Sequence, residues 1–268
     1  MTDAHIPVLE VDDLSVWKGT EKLVSSVSFT LSEGRKLGVV GETGSGKSLS
    51  CRSLVGGLVR HGLRPEGRIS YQGHDLITCP KQTWAVLRGR SIGFVPQSSL
   101  NSLDPVMRID RQMLETVKAL GGAGSDARDR VEALLEQVHM PEPRRVLRSY
   151  PHQLSGGMRQ RLMIALAIAG HPRILVADEP TTALDVSVQR RILDLIKELC
   201  EVNGMSLVLV THDLGIVQDV CDDVLVMRNG AGVEYGPVAE VLHEPRHSYT
   251  RELLAARLTI DAEVPSHD

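Results

Sequence analysis

The sequence predicts an α/β fold, with a largely parallel sheet, a small antiparallel layer and an inserted helical segment. Near-continuous apolar runs are typical of strands covered on both faces. Such runs occupy residues 91–95, 174–177, 207–210 and 224–227, and a short β-branched strand is predicted at residues 35–40. Helical patterns, for example at residues 48–59 and 188–200, separate several of the runs. This alternation favours a parallel sheet.

Three stretches depart from the alternation. Residues 1–30 and 67–72 alternate apolar with polar side chains, which indicates the antiparallel layer. Residues 106–152 carry helical patterns without a strand signal, so the helical insertion is predicted at about 97–159. A short helical tail is expected from residue 237 onward. Residues 1–268 are therefore interpreted as one domain with its core at 1–96 and 160–236.

The composition indicates a globular protein with an aliphatic core. Hydrophobic residues make up 42% of the 268, charged residues 24% and aromatic residues only 3%. The net charge of −4 argues against a dedicated nucleic-acid binder. The first 13 residues contain four acids and no Lys or Arg, so no secretory signal is expected. The longest apolar run, 162–170, is about half of a bilayer-spanning helix, and the four scattered cysteines indicate reduced cytosolic thiols.

Residues 41–48, GETGSGKS, fit the phosphate-loop pattern G-x-x-x-x-G-K-[ST] at every position. Glycines let the backbone curl so that its N–H groups point at phosphate oxygens, at the positive end of the next helix. Lys47 then reaches the β- and γ-phosphates, and the Ser48 hydroxyl ligates Mg²⁺. The alternative is a glycine-rich turn that matches by chance. The strand before the loop and the helix after it favour phosphate binding.

Two acids, Asp178 and Glu179, end the apolar run at residues 174–177. A carboxylate at the tip of a buried strand is costly unless it meets a cation or hydrogen-bond donors. Asp178 suits the surroundings of the Mg²⁺ ion, and Glu179 is placed to polarise an attacking water as a general base. An ordinary strand-to-turn junction is the alternative for this pair taken alone.

These two motifs are compatible with a kinase, a GTPase or a motor, and residues 154–158, LSGGM, distinguish between them. Here the chain strongly resembles the ATP-binding cassette (ABC) family, whose signature is a serine and two glycines that open a helix. The backbone N–H groups and the Ser155 hydroxyl form a second anion site. The resemblance implies that Ser155, Gly156 and Gly157 bind the γ-phosphate of ATP held by a partner subunit. A simple helix N-cap is the alternative.

Three more matches follow in the family's order, and the resemblance spans residues 8–257. Gln97 matches the glutamine that contacts Mg²⁺ and the attacking water. Asp185 matches the family's D-loop, which crosses the dimer interface, and His212 matches the histidine that contacts the γ-phosphate. The resemblance implies a P-loop NTPase (RecA-like) fold that uses ATP and Mg²⁺.

The resemblance also implies the role of each site residue. The implied catalytic residues are Glu179, His212 and Gln97, and the implied metal-site residues are Ser48, Gln97 and Asp178. The implied ATP-binding residues are Gly41, Glu42, Thr43, Gly44, Ser45, Gly46, Lys47, Ser48, Leu49, Ser155, Gly156, Gly157 and Asp185.

Two features of the sequence need separate interpretation. The family stacks an aromatic residue on adenine, and Trp17 is the nearest candidate, although Lys18 falls at the stacking position by register. Residues 243–247, HEPRH, fit the zinc-protease pattern H-E-x-x-H. Because Pro245 disrupts the helix that this pattern needs, no zinc site is predicted there.

A finer resemblance is to the group that takes up peptides, opines and nickel. It rests on residues 101–105 (NSLDP), 149–155 (SYPHQLS), 185–189 (DVSVQ) and 247–254 (HSYTRELL). Many peptide-type members carry a cysteine-containing C-terminal extension. No cysteine follows Cys221 here, so the chain looks closer to the shorter nickel-type subunits.

This resemblance implies an importer subunit at the cytoplasmic face of the bacterial inner membrane. Its implied partners are a second ABC ATPase subunit, two integral-membrane permeases and, indirectly, an extracytoplasmic solute-binding protein, with a heterodimer as the default. Peptide, nickel, opine or metal chelate all remain open as the solute. The alternatives are a soluble ABC-type ATPase acting on nucleic acid or translation, and an exporter cassette.

Overall fold

The computed structural model describes residues 6–58, 62–97, 102–122, 124 and 126–263. The chain divides into two compact units. The first unit contains Met1–Pro80 and Val208–Asp268, and the second contains Lys81–Leu207.

Strands and helices alternate through much of the chain, as predicted for an α/β fold. The strands are β1 (Pro7–Lys18), β2 (Glu21–Ser32), β3 (Lys36–Val40), β4 (Leu63–Tyr71), β5 (His74–Asp75), β6 (Ile92–Val95), β7 (Ile174–Asp178), β8 (Ser206–Val210), β9 (Asp223–Arg228) and β10 (Ala231–Pro237). The helices are α1 (Lys47–Leu54), α2 (Lys81–Arg90), α3 (Ile109–Ala119), α4 (Asp126–Gln137), α5 (Pro143–Arg148), α6 (Gly156–Ile168), α7 (Val186–Asn203), α8 (Leu214–Val220), α9 (Val238–His243) and α10 (Ser248–Glu263).

In the first unit the strands lie in the order β5-β4-β1-β2-β10-β9-β3-β8. β1 pairs antiparallel with both β2 and β4, which confirms the predicted antiparallel layer. β3 pairs in parallel with β9, and its apolar side chains are buried because helices cover it. Gly38 of β3 lets α8 approach closely, since a Cβ there would lie 2.7 Å from the Val217 Cγ1 atom. The phosphate-loop segment follows this tightly covered strand directly.

In the second unit β6 pairs in parallel with β7, from Ile92 beside Ile174 to Val95 beside Ala177. Helix α6 packs closely on β6, because a Cβ on Gly93 would lie 2.5 Å from the Ala167 carbonyl oxygen. Helices α3, α4 and α5 occupy the stretch for which helices without strands were predicted. Apolar residues at helical spacing are buried on these helices: Ile109, Met113, Val117, Val131, Leu134, Leu135 and Val146.

Two helices differ from the sequence-based expectation. The helix expected at 48–59 ends at Leu54, because Gly56 adopts a φ of 61° and terminates it. Residue 59 lies outside the described residues. Helix α2 was not predicted, because its apolar residues at 84–87 are consecutive and do not recur at helical spacing. None of its residues is buried, and its backbone is non-helical at Arg88 and Gly89.

The core is aliphatic, as the composition predicted. Within the part of the chain that the structure describes, the buried aromatic side chains are Phe29, Tyr71 and Tyr249. Tyr249 belongs to the C-terminal helix α10, yet only 1% of its surface is exposed. The tail is therefore packed into the first unit.

Candidate functional site

The phosphate loop connects β3 to α1 and curls around the ammonium group of Lys47. Only 4% of Lys47 is exposed. Its Nζ atom donates to the carbonyl oxygens of Gly41 at 2.7 Å and Glu42 at 2.8 Å. The curl needs positive φ angles, which are 149° at Gly41, 86° at Gly44 and 96° at Gly46. The backbone therefore has the curled form that the motif predicts.

The loop also contains a polar atom that suits a phosphate. The Ser45 hydroxyl is buried and has no hydrogen-bond partner among the described residues. Unpartnered buried polar groups are costly, so a ligand that supplies an acceptor oxygen would stabilise this position. Helix α1 begins at Lys47 and adds its unsatisfied N–H groups to the same loop. The residues present fit a phosphate group.

Strand β9 and the turn after it support the loop from one side. A Cβ on Gly41 would overlap the Met227 carbonyl oxygen and lie 2.8 Å from the Ser45 hydroxyl. The N–H of Gly230 donates to the Ser45 carbonyl oxygen at 3.1 Å. The first glycine of the motif is thus required for packing as well as for backbone conformation.

Glu179 follows β7 and accepts two hydrogen bonds on one carboxylate oxygen. The Gln97 Nε2 and the Thr182 Oγ1 each donate to the Oε2 atom at 2.9 Å. Glu179 has a φ of 46°, a left-handed conformation that costs about 1–3 kcal/mol and is common at functional sites. Asp178, the preceding residue, is fully buried at the end of β7. The structure therefore brings the predicted Gln97 and Glu179 together.

Thr182 was not singled out from the sequence. Its position three residues after Glu179, in the turn that ends the strand, is the signal that points to it. At that spacing the Thr182 hydroxyl reaches back to the Glu179 carboxylate.

The signature segment begins helix α6, with Ser155 as its N-cap. The Ser155 side chain accepts from the Met158 N–H at 3.3 Å. A Cβ on Gly156 would lie 3.0 Å from Leu184 Cδ2, and one on Gly157 would lie 2.8 Å from Val188 Cγ1. The helix N-cap, the alternative interpretation of this motif, is therefore formed. The glycines keep the start of α6 close to α7.

Asp185 is the N-cap of α7. Its Oδ1 atom accepts from the Ser187 hydroxyl at 2.7 Å and the Val188 N–H at 2.9 Å. These two hydrogen bonds, that of Ser187 first, lower the pKa of Asp185 below its ordinary value. The carboxylate is therefore ionised at neutral pH. Its negative charge interacts favourably with the positive end of the α7 dipole.

The predicted site residues divide between the two units. The first unit carries Gly41, Glu42, Thr43, Gly44, Ser45, Gly46, Lys47, Ser48, Leu49 and His212. The second carries Gln97, Ser155, Gly156, Gly157, Asp178, Glu179 and Asp185. His212 lies just after β8 and is exposed.

Trp17, the nearest candidate for an adenine contact, is surrounded by charged side chains of its own unit. The Lys22 Nζ lies 4.9 Å and the Arg64 Cζ 5.9 Å from the centre of the Trp17 ring. The Trp17 Nε1 donates to Glu66 at 2.7 Å. Lys18 is exposed. An adenine contact by either residue stays a prediction.

The HEPRH segment does not form the single helix of a zinc-protease site. Helix α9 ends at His243 and α10 begins at Ser248, with Pro245 between them. The His247 Nδ1 accepts from the Tyr249 N–H at 3.1 Å. The two histidines therefore do not share one helix face.

Comparison with known proteins identifies the family. Residues 24–182 match the ABC transporter family. The chain belongs to this family. It is 42% identical over 267 residues to the dipeptide transport ATP-binding protein DppD of Lactococcus lactis, with 97% of this chain and 76% of that protein covered. It is 41% identical over 261 residues to the oligopeptide transport ATP-binding protein OppD of Salmonella typhimurium, with 96% and 78% covered.

A solved structure supports the same assignment. A dimeric ATP-binding cassette in a post-hydrolysis state, bound to ADP and phosphate, matches with a TM-score of 0.75 and 27% identity. The match covers 86% of this chain and 98% of that one. The predicted fold class and the predicted activity of an ABC cassette, ATP hydrolysis coupled to transport, are confirmed. No helix in the described residues is long and apolar enough to span a membrane.

Proposed function

We propose that this ABC ATPase powers the import of peptides across a bacterial inner membrane. The observation that carries the nucleotide chemistry is the curled phosphate loop around the buried Lys47 ammonium. Support for peptides comes from the two relatives, which are named for dipeptide and oligopeptide transport. Neither name refers to nickel. The lack of a cysteine after Cys221 had favoured the shorter nickel-type subunits.

Binding of ATP uses groups that the loop already presents. The Lys47 ammonium, which donates to the Gly41 and Glu42 carbonyl oxygens, gains stronger charge-assisted contacts with the negatively charged phosphate oxygens. The Ser45 hydroxyl gains the partner that it lacks within the described residues. Residues 41–49 thus form the ATP site. Ser48, Gln97 and Asp178 would hold Mg²⁺, which neutralises phosphate charge when it is bound.

Hydrolysis depends on Glu179 as the general base. The carboxylate orients a water and accepts its proton, while the Thr182 hydroxyl holds the same carboxylate oxygen in place. Gln97 would contact Mg²⁺ and the attacking water, and His212 would contact the γ-phosphate. Phosphoryl transfer needs little covalent chemistry, so these side chains act mainly by positioning and by stabilising charge.

The assembly contains a second ATPase subunit and two permeases. Ser155, Gly156, Gly157 and Asp185 act on the ATP of the facing subunit, consistent with the dimeric cassette that matches this chain. We propose a heterodimer, because the uptake group that this chain resembles typically pairs two different cassette subunits. The helical subdomain at 97–159 transmits closure to the permeases at the cytoplasmic face, and an extracytoplasmic binding protein delivers the solute.

The first experiment is purification of native complexes that carry Glu179→Gln, followed by mass spectrometry of the bound proteins. The variant retains ATP but stalls hydrolysis, so the closed assembly accumulates. Glu240→Gln, the same change on the exposed surface of α9 and outside the helical subdomain, is the control. Enrichment of two permeases and a second cassette with Glu179→Gln supports the proposal. Recovery of ribosomes or nucleic acid without permeases would refute it in favour of a soluble ATPase.

The solute is tested on the reconstituted complex. ATPase activity in proteoliposomes is measured with the co-encoded binding protein and either dipeptides, longer peptides, nickel or a nickel chelate. Stimulation by peptides alone is expected. Stimulation by nickel or its chelate alone would contradict the peptide assignment while leaving the importer assignment intact.

A further inference from the structure

The peptide group that joins Gly41 to Glu42 is held at both of its polar ends. Its carbonyl oxygen, that of Gly41, accepts from the Lys47 Nζ at 2.7 Å. Its N–H, that of Glu42, donates to the Tyr249 hydroxyl oxygen at 3.1 Å. Because the peptide is planar, these two contacts together fix the rotation of the first peptide plane of the phosphate loop.

Tyr249 is itself fixed in place at the start of α10. Only 1% of the residue is exposed. The Arg228 guanidinium lies 4.5 Å from the centre of its ring and also approaches Glu252 at 3.7 Å. The Tyr249 N–H donates to the His247 Nδ1 at 3.1 Å. The hydroxyl is thus presented to the loop by a rigid and buried side chain whose ring is held from β9.

ATP binding affects the Lys47 and Tyr249 contacts to this peptide differently. When ATP binds, the Lys47 ammonium is drawn toward the phosphates, which weakens its hold on the Gly41 carbonyl oxygen. The Tyr249 contact lies on the opposite end of the same peptide and is not needed by the phosphates. The Tyr249 hydrogen bond therefore keeps the peptide plane in its binding orientation while the Lys47 ammonium contacts the phosphates.

We propose that Tyr249 is a positioning residue for ATP binding, through which the C-terminal helix sets the affinity of the phosphate loop. Residues 247–250, HSYT, which otherwise only mark the family resemblance, thereby acquire a role in the nucleotide site. This inference rests on the ATPase assignment and is independent of the transported solute.

The test is Tyr249→Phe in the full-length chain, which deletes the hydroxyl and keeps the buried ring. Tyr235→Phe is a matched control, because its hydroxyl also bonds to backbone in the first unit, donating to the Thr30 carbonyl oxygen at 2.8 Å. ATP affinity is measured by isothermal titration, and KM and kcat are measured on the assembled complex. The Kd and KM of Tyr249→Phe should rise by about threefold to tenfold, with kcat nearly unchanged, because the loop binds ground state and transition state alike.

The control should leave all three quantities unchanged. Equal affinities for wild type and Tyr249→Phe would overturn the inference, as would an equal loss in Tyr235→Phe. A lower melting temperature with unchanged ATP affinity would also overturn it, since it would make Tyr249 a purely structural residue. Absence of ATP binding by the wild type would refute the nucleotide site itself, which is a distinct outcome.

Discussion

Substituting Gly41 by alanine places a methyl group where the structure leaves no room. The new Cβ would overlap the Met227 carbonyl oxygen and lie 2.8 Å from the Ser45 hydroxyl and 3.1 Å from the Met227 carbonyl carbon. Strand β9 cannot easily yield, because it is paired on both sides, with β3 and with β10, and Met227 is fully buried. The phosphate loop must move instead.

The expected loss of stability has two parts. Overpacking of this kind costs about 1–3 kcal/mol. The φ of 149° at position 41 costs alanine about another 1–3 kcal/mol. We therefore expect the free energy of unfolding to fall by about 2–6 kcal/mol. A displacement of the loop by roughly an ångström should also lower kcat/KM for ATP by about 100-fold.

Gly44→Ala is the matched control in the same loop. Its φ of 86° is also unfavourable for alanine, but no atom lies within 4 Å of the added Cβ. Only the backbone cost of about 1–2 kcal/mol should appear in its unfolding free energy. Urea unfolding is measured for both variants, and steady-state ATPase kinetics are measured for Gly41→Ala. If both variants lost the same free energy of unfolding, contact with β9 would not be the reason that position 41 requires glycine.

Three further predictions concern the second unit. Glu179→Gln should lower kcat by about 10²–10⁴-fold and leave ATP affinity nearly unchanged, as measured by ATPase kinetics and titration; a normal kcat would exclude it as the base. Thr182→Val should lower kcat by about threefold to tenfold at constant KM, and Thr182→Ser should restore it, whereas failure of serine to restore activity would contradict a hydroxyl role. Wild type should exceed Asp185→Asn in unfolding free energy at neutral pH, because the folded-state pKa of Asp185 is lowered. That stability advantage is present above the unfolded-state pKa of about 3.9 and is lost as the pH falls through the lower folded-state pKa. A stability difference that does not change with pH would show that the Asp185 charge is not its cause.

Local patterns were sufficient for most of the strands and for the nucleotide loop. The residues at 41–48 are consecutive, so one strand-loop-helix segment contains the whole anion site. The apolar runs at 91–95 and 174–177 predicted two strands, which pair in parallel, because residues buried on both faces leave a continuous signal. Helix α2 was not predicted because its apolar residues do not recur at helical spacing, so its sequence has no periodic signal. None of its residues is buried.

Contacts between distant residues could not be obtained in this way. Glu42 and Tyr249 are separated by 207 positions, and nothing in either segment specifies that a tyrosine hydroxyl meets a loop N–H. The same holds for Gln97 and Glu179, which are 82 positions apart. The sequence alone therefore determined the family, the phosphate loop and the acidic strand end, since each depends on neighbouring residues. Only the tertiary structure decided which side chains hold the loop and the carboxylate in place, because those contacts depend on how the sheet and helices pack.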